Sequence, residues 1–198
     1  PAVARELSAL VVSLAYALLA LGGLALGLLV SELFFVVGWL FLLSGIVYNV
    51  EPLRSKDRIY LDVLSEAVNN PIRLTLGWAI VDSTTLPPSS LVLAYWTGGA
   101  FLMTVKRFAE YRSVSASAGS ASLALYRRSF RHYRENTLLL AAFVYALLSA
   151  FFIAVFLIKY RIEYLLTVPL VVALFVVYLE VGLQPESSAQ APERLFRE

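Results

Sequence analysis

Apolar residues run along this chain in blocks too long for the helices of a small soluble core. Residues 7–30, LSALVVSLAYALLALGGLALGLLV, contain no charged side chain, and about 20 consecutive apolar residues suffice to cross a bilayer as a helix. Ser31 and Glu32 leave room only for an antiparallel return into 33–50, LFFVVGWLFLLSGIVYNV. Further apolar blocks occupy 63–81, 91–105, 137–158 and 164–183, separated by the polar segments 51–62, 82–90, 106–136 and the KYRIE turn. The pattern predicts an all-α, polytopic transmembrane helix bundle of about six spans over 1–183, followed by a loose polar tail, 184–198.

Composition excludes much of what remains. The chain is 60% hydrophobic and 15% charged over 198 residues, against about 25% charged in soluble domains. No cysteine and a single histidine, His132, remove thiolate nucleophiles, iron–sulfur sites and paired-histidine metal sites. The loops on one side of the six spans hold 13 Lys/Arg and those on the other hold 2. The positive-inside rule then places both termini and the long loops in the cytoplasm. Membrane lipids are expected partners and nucleic acid is not. The chain opens at Pro1 with no signal-peptide pattern, which reads as an internal piece of a longer protein.

The third block is the unusual one, because VLSEAVNNPIRLTLGWAIV carries Glu66, Asn69, Asn70, Pro71 and Arg73. Arg73 lies about ten residues into its helix, roughly 15 Å deep, where a lipid-facing arginine costs at least about 2.5–3.5 kcal/mol. It must face a partner or a wet cavity. Asp62, Glu66, Asn69, Asn70 and Arg73 are related by steps that place them on one polar stripe, and Pro71 predicts a kink. Two readings stand: a structural Glu66–Arg73 ion pair, or the polar wall of an anion site.

The fourth block runs directly into Lys106, Arg107, Glu110, Tyr111 and Arg112. Such a run is the snorkelling end of an ordinary membrane helix, or, with Lys56 and Arg58 from the preceding loop, a basic mouth above Arg73 suited to phosphate or diphosphate. Within 120–136, Leu123, Tyr126, Phe130 and Tyr133 fall at helical spacing, with Arg127, Arg131 and Arg134 on another face. This predicts an interfacial amphipathic helix, either a site lid or a contact for anionic headgroups. His132 reads as a surface residue.

The run GGAFLMTVKRFAEYR, followed after a gap by SFRHYRENTLLL, resembles the sixth helix and following loop of the UbiA superfamily of membrane prenyltransferases. Its KRFAE form is similar to the branch containing decaprenyl-phosphate phosphoribosyltransferase, and Tyr48, the Lys56 loop and Ile72-Arg73 followed by Gly77 match that branch in order and approximate spacing. The resemblance implies a nine-helix bundle with a cytoplasm-facing cavity, these spans corresponding to helices three to eight, and Mg²⁺ held on a donor diphosphate by two acidic motifs. The first acidic motif is absent from this chain. Where typical members carry Asp-x-x-x-Asp, this chain has Lys106, Phe108 and Glu110, so metal binding would rest on Glu110.

The leading expectation is therefore an integral membrane transferase of a prokaryotic plasma membrane, acting on an isoprenoid or polyprenyl-phosphate lipid with a diphosphate-bearing donor. Lys106, Arg107 and Glu110 would be catalytic, and Arg73, Asn70, Lys56, Arg58 and Arg112 would bind substrate. A non-enzymatic transporter or lipid-binding protein is the alternative, with Pro71 and Arg73 marking a path.

Overall fold

The computed structural model describes residues 8–119 and 122–184. The opening residues 1–7 and the tail beyond 184 lie outside the described residues. Seven α-helices make up the described chain: α1 (Ala9–Val30), α2 (Glu32–Asn49), α3 (Leu61–Ala67), α4 (Asn69–Val81), α5 (Ser89–Ala118), α6 (Glu135–Tyr160) and α7 (Val168–Leu183). Among the described residues, four runs are long and apolar enough to cross a membrane: Leu10–Val30, Glu32–Asn49, Glu135–Tyr160 and Ile162–Leu183. The outward faces are apolar, with Leu29 83% and Leu166 87% exposed. That pattern is stable in lipid, because a helix satisfies its own backbone hydrogen bonds. The molecule is an all-α membrane bundle.

Helices α1 and α2 form a hairpin whose turn is fixed by Ser31, its side chain accepting from the Phe34 N–H as the N-cap of α2. Helix α2 then runs antiparallel to α4 and α3. Ser31 Oγ reaches the Ala79 carbonyl at 3.4 Å, Ser44 Oγ the Asn69 Oδ1 at 2.9 Å, and Tyr48 the Glu66 carboxylate at 3.0 Å.

The third apolar block is two helices, not one. They meet at Val68, one turn before the position expected for a kink, because Pro71 sits in the first turn of α4, where its missing N–H leaves the Ala67 carbonyl without its helical donor. The break also spreads the expected polar stripe. Asp62 and Glu66 face the loops and α5, Asn69 faces α2, and the Asn70 side chain lies against Gly99 of α5.

Helix α5 is the centre of the bundle and packs most extensively against α6. Its 30 residues span about 45 Å at 1.5 Å per residue, longer than a bilayer core is thick, so the helix continues past the fourth apolar block through the KRFAEYR run. Gly98 and Gly99 allow close approach on two sides. A Cβ at Gly98 would meet Ser149 Oγ of α6 at 3.0 Å, and one at Gly99 would collide with Asn70 Nδ2 of α4. Phe101 packs on Phe175 of α7, the rings tilted by 46° with centroids 4.8 Å apart.

The segment expected to form an amphipathic helix over 120–136 is instead a strap: a helical turn at Leu123–Tyr126, an extended Arg127, a 3-10 turn at Arg128–Arg131 and a return into α6. Its first residues, 120 and 121, lie outside the described residues. Leu123, Phe130 and Tyr133 do not lie on a membrane surface. They are buried with Phe108 and Leu138 in one cluster, while Tyr126 is 59% exposed. The reason is the pull of a buried acid on α3, described next.

Candidate functional site

Asp62 is fully buried in the first turn of α3, and a buried carboxylate is tolerable only with donors around it. The strap supplies them. Ser129 Oγ donates to Asp62 Oδ2 at 2.9 Å, Tyr133 OH to Asp62 Oδ1 at 2.7 Å, and Arg127 Nε lies 3.3 Å from Oδ2. Arg127 also donates to the Tyr48 hydroxyl at 3.2 Å. A continuous helix over these residues would forfeit this set, since Arg127 and Ser129 are two apart and point to different sides of a helix. Tyr133 in turn accepts the Tyr60 N–H at 2.7 Å, holding Tyr60 at a positive φ of 61° immediately before α3. Burial, followed by the neighbouring Asp62 charge, pushes the Tyr133 hydroxyl well above its ordinary pKa.

A second group of charges adjoins the first. Arg107 on α5 is 4% exposed. Its guanidinium is shared by three acids: Nη2 lies 2.5 Å from Glu66, Nη1 lies 2.9 Å from Glu110, and Nε lies 3.9 Å from Asp62. Glu66 therefore pairs with Arg107 and not with Arg73, which overturns the structural ion pair read from the third block. The three-residue step from Arg107 to Glu110 and the descent of α3 beside α5 bring these groups together, and Trp96 Nε1 bonded to the Leu64 carbonyl at 2.9 Å holds the two helices in register.

Beyond the Val68 break, α4 and α5 open into a cavity of about 850 Å³ whose walls include Asn70, Leu74, Trp78, Leu102 and Phe175. Arg73 is the cation on this wall. Its side chain is exposed to the cavity, with the guanidinium carbon 6.0 Å from the Phe41 ring centroid, and it forms no ion pair among the described residues. Asp82 lies at the far lip. Hydrogen bonds from Thr85 and Thr84 lower its pKa to about 2, so that lip is anionic at physiological pH. The cavity is thus polarised along α4, cationic at Arg73 and anionic about nine residues further on, roughly 13 Å away.

The remaining expected residues are dispersed. Lys106 is half-buried and makes no ion pair among the described residues. Lys56 donates to Asn49 Oδ1 at 3.1 Å, Arg58 to the Pro52 carbonyl at 3.4 Å, and Arg112 to the Leu183 carbonyl at 2.7 Å while lying over Phe108. Of these cations only Arg73 lines the cavity, and Arg107 is turned inward onto carboxylates. His132 is exposed beside Arg128 and Arg131, as a surface residue should be. The sequence reading missed Asp62 as an anchor, missed Arg127, Ser129 and Tyr133 as its partners, and missed Tyr48 as the hydroxyl that joins Arg127 to Glu66. An isolated Asp at the start of an apolar block was the available signal, since it demands buried donors from elsewhere.

The residues present do not fit a magnesium ion at Glu110. Its Oε2 is bonded to Arg107, and among the described residues no group of three or more acidic or imidazole side chains is arranged to hold a metal.

Taken together, these features define a polytopic membrane protein with a charged pole beside a mostly apolar cavity. Residues 1–197 match the model of the UbiA prenyltransferase family, and the chain belongs to that family. Its general function is that of a membrane prenyltransferase-type protein. Neither the curated proteins nor the solved structures include a significant match.

Proposed function

We propose that this chain forms the isoprenoid-binding part of a membrane transferase that breaks the bond between a carbon and a phosphate-bearing leaving group. The observation that carries the reading is Arg73: a cation with no ion pair among the described residues, in a cavity whose walls are otherwise mostly apolar, with an acid at the opposite lip. An anionic head is attracted to Arg73 and Asn70 and repelled from Asp82, so an amphiphile is held in one orientation. Family membership supports an isoprenoid as that amphiphile.

In this reaction the acceptor's nucleophile bonds to the carbon, the carbon–oxygen bond to diphosphate breaks, and the acceptor loses a proton. Cations near the leaving group lower the barrier by meeting the charge that develops there. Arg73 supplies that charge from the cavity wall, and Lys106 on the next helix, which makes no ion pair among the described residues, contributes a second cation to the phosphate in this reading. Arg107 and Glu110 act as positioning residues. Either the isoprenoid diphosphate is the donor, or a polyprenyl phosphate is the acceptor and a phosphorylated ribose the donor. The long loops face the cytoplasm of a prokaryotic cell in this reading, following the Lys/Arg bias.

Equilibrium binding of long-chain isoprenyl diphosphate and isoprenyl monophosphate to the full chain in nanodiscs tests the proposal. Saturable binding of either, competed by the other and weakened in Arg73→Gln, is expected. Tighter diphosphate binding favours the prenyl donor and tighter monophosphate binding the phosphoribosyl acceptor; equal weak binding of a neutral isoprenoid alcohol would sink the reading.

A further inference from the structure

We propose that the groove between the loop after α2 and the strap before α6 is a docking surface for anionic phospholipid headgroups of the surrounding membrane. Two adjoining surface depressions form it, and they share Asp57 and Arg128.

The depression of about 310 Å³ includes Leu53, Arg54 and Arg58 in its lining. The other, of about 330 Å³, includes Leu125 and Arg131. Their level in the bilayer follows from α2, which is long and apolar enough to cross a membrane and ends at Asn49. Val50 and Leu53, just beyond that end, are half-exposed apolar residues. A chain that leaves a span with apolar side chains still outward runs along the interface, where headgroup phosphates lie. Arg128 Nη1 reaches Asp57 Oδ2 at 3.4 Å and brings the strap to the same level.

Charge selects the partner. In the lining of the groove four arginines meet two acids, Glu51 and Asp57. Arg54 lies 3.0 Å from Asp57 and 3.4 Å from Glu51, so both acids are taken, and Arg58 and Arg131 make no ion pair among the described residues. Guanidinium groups in excess of carboxylate attract phosphate, which their planar fork holds through paired bonds. A soluble phosphate would need only the cations. Leu125, 89% exposed in the same depression as Arg128, has no role with such a ligand, whereas lipid would remove it from water. Arginines and outward leucines on one face are the pattern of a surface that rests on anionic lipid. The groove shares no lining residue with the cavity between α4 and α5.

Leu125→Cys labelled with bimane reports the contact, since the chain has no native cysteine. The labelled full chain is placed in phosphatidylcholine nanodiscs doped with brominated phosphatidylglycerol or, at the same fraction, brominated phosphatidylcholine. Each surface arginine enriches anionic lipid about fivefold, so quenching by the brominated phosphatidylglycerol should be several-fold the stronger. Adding Arg128→Gln and Arg131→Gln should reduce it to the phosphatidylcholine level, and both side chains are exposed, so the fold should hold. Absence of quenching by either lipid would overturn the proposal, as would equal quenching by both, or a preference that survives the loss of both arginines. If that variant does not fold, the comparison of the two lipids on the unaltered groove decides alone. Inorganic phosphate at matched ionic strength should leave the preference intact; its loss in dilute phosphate would make the groove a site for a soluble anion and overturn the lipid assignment. Isoprenoid binding is not the readout, so failure here leaves the reading of the α4–α5 cavity untouched.

Discussion

The Tyr133 hydroxyl and the Asp62 carboxylate meet at 2.7 Å across 71 residues of chain, and this bond ties the strap before α6 to the first turn of α3. Around it the strap gives up helical continuity to serve one buried acid. Arg127 and Ser129 donate to the opposite oxygen, and the Tyr60 N–H completes the tyrosine's own partners.

Removing the acid should therefore be costly. Asp62→Ala leaves Arg127 and two hydroxyls without their acceptor, and breaking one side of a buried charged group costs about 3–5 kcal/mol. Tyr133→Phe removes the hydroxyl's bond to the carboxylate and its acceptor for the Tyr60 N–H but leaves the Asp62 charge paired with Arg127, for about 1–3 kcal/mol. Denaturant unfolding in mixed micelles should rank the two in that order; equal stabilities would mean that the strap is not anchored here.

Alkaline pH should weaken the same joint. The Tyr133 pKa is raised in the folded chain above its ordinary value of 10.0. The stability it confers is therefore complete below about pH 10 and is lost progressively as pH rises above it, because the unfolded chain gives up this proton first. Melting temperatures should fall more steeply above pH 10 in wild type than in Tyr133→Phe, and parallel slopes would contradict the assignment.

Glu66 and Arg73, once candidates for a single pair, should now behave differently. Glu66→Leu takes one of two close acids from Arg107, which keeps Glu110, and should cost on the order of 2–3 kcal/mol, less than a fully buried pair because Glu66 is 29% exposed. Arg73→Leu touches no ion pair, so the melting temperature should hold while affinity for an isoprenyl phosphate drops about ten- to a hundredfold. Additive effects in the double variant would confirm that the two residues are independent.

Sidedness is directly measurable, since the chain has no cysteine. A cysteine at Ser117, exposed near the end of α5, and one at Thr84, exposed in the loop after α4, should react with a membrane-impermeant reagent from opposite sides. Ser117 should be reached only from the cytoplasm. Labelling of Ser117 from outside would reverse the topology.

Much of this architecture was legible because hydropathy and chain reversal leave few choices for uncharged blocks such as 7–30 and 137–158. The third block announced its buried polar residues, and the KRFAE run identified the family. Partner choice was not legible. Periodicity assigned Leu123, Tyr126, Phe130 and Tyr133 to a helix because it counts apolar positions and is blind to an acid 65 residues away that draws Arg127 out of register. Arg107 looked like a phosphate ligand for the same reason: the acid that lies closest to it in the fold, Glu66, is 41 residues distant along the chain, and no local rule connects them.

Glycine at two points on α5 and α7 bears on how related sequences can vary. A methyl at Gly99 would strike the Asn70 amide, and one at Gly182 would collide with the Val105 side chain. Each glycine and its neighbour therefore form one steric unit with a fixed total volume. In lineages where position 99 or 182 has acquired a side chain, position 70 or 105 should have shrunk in step, so the helix spacing would be recorded as paired drift between residues far apart in the chain.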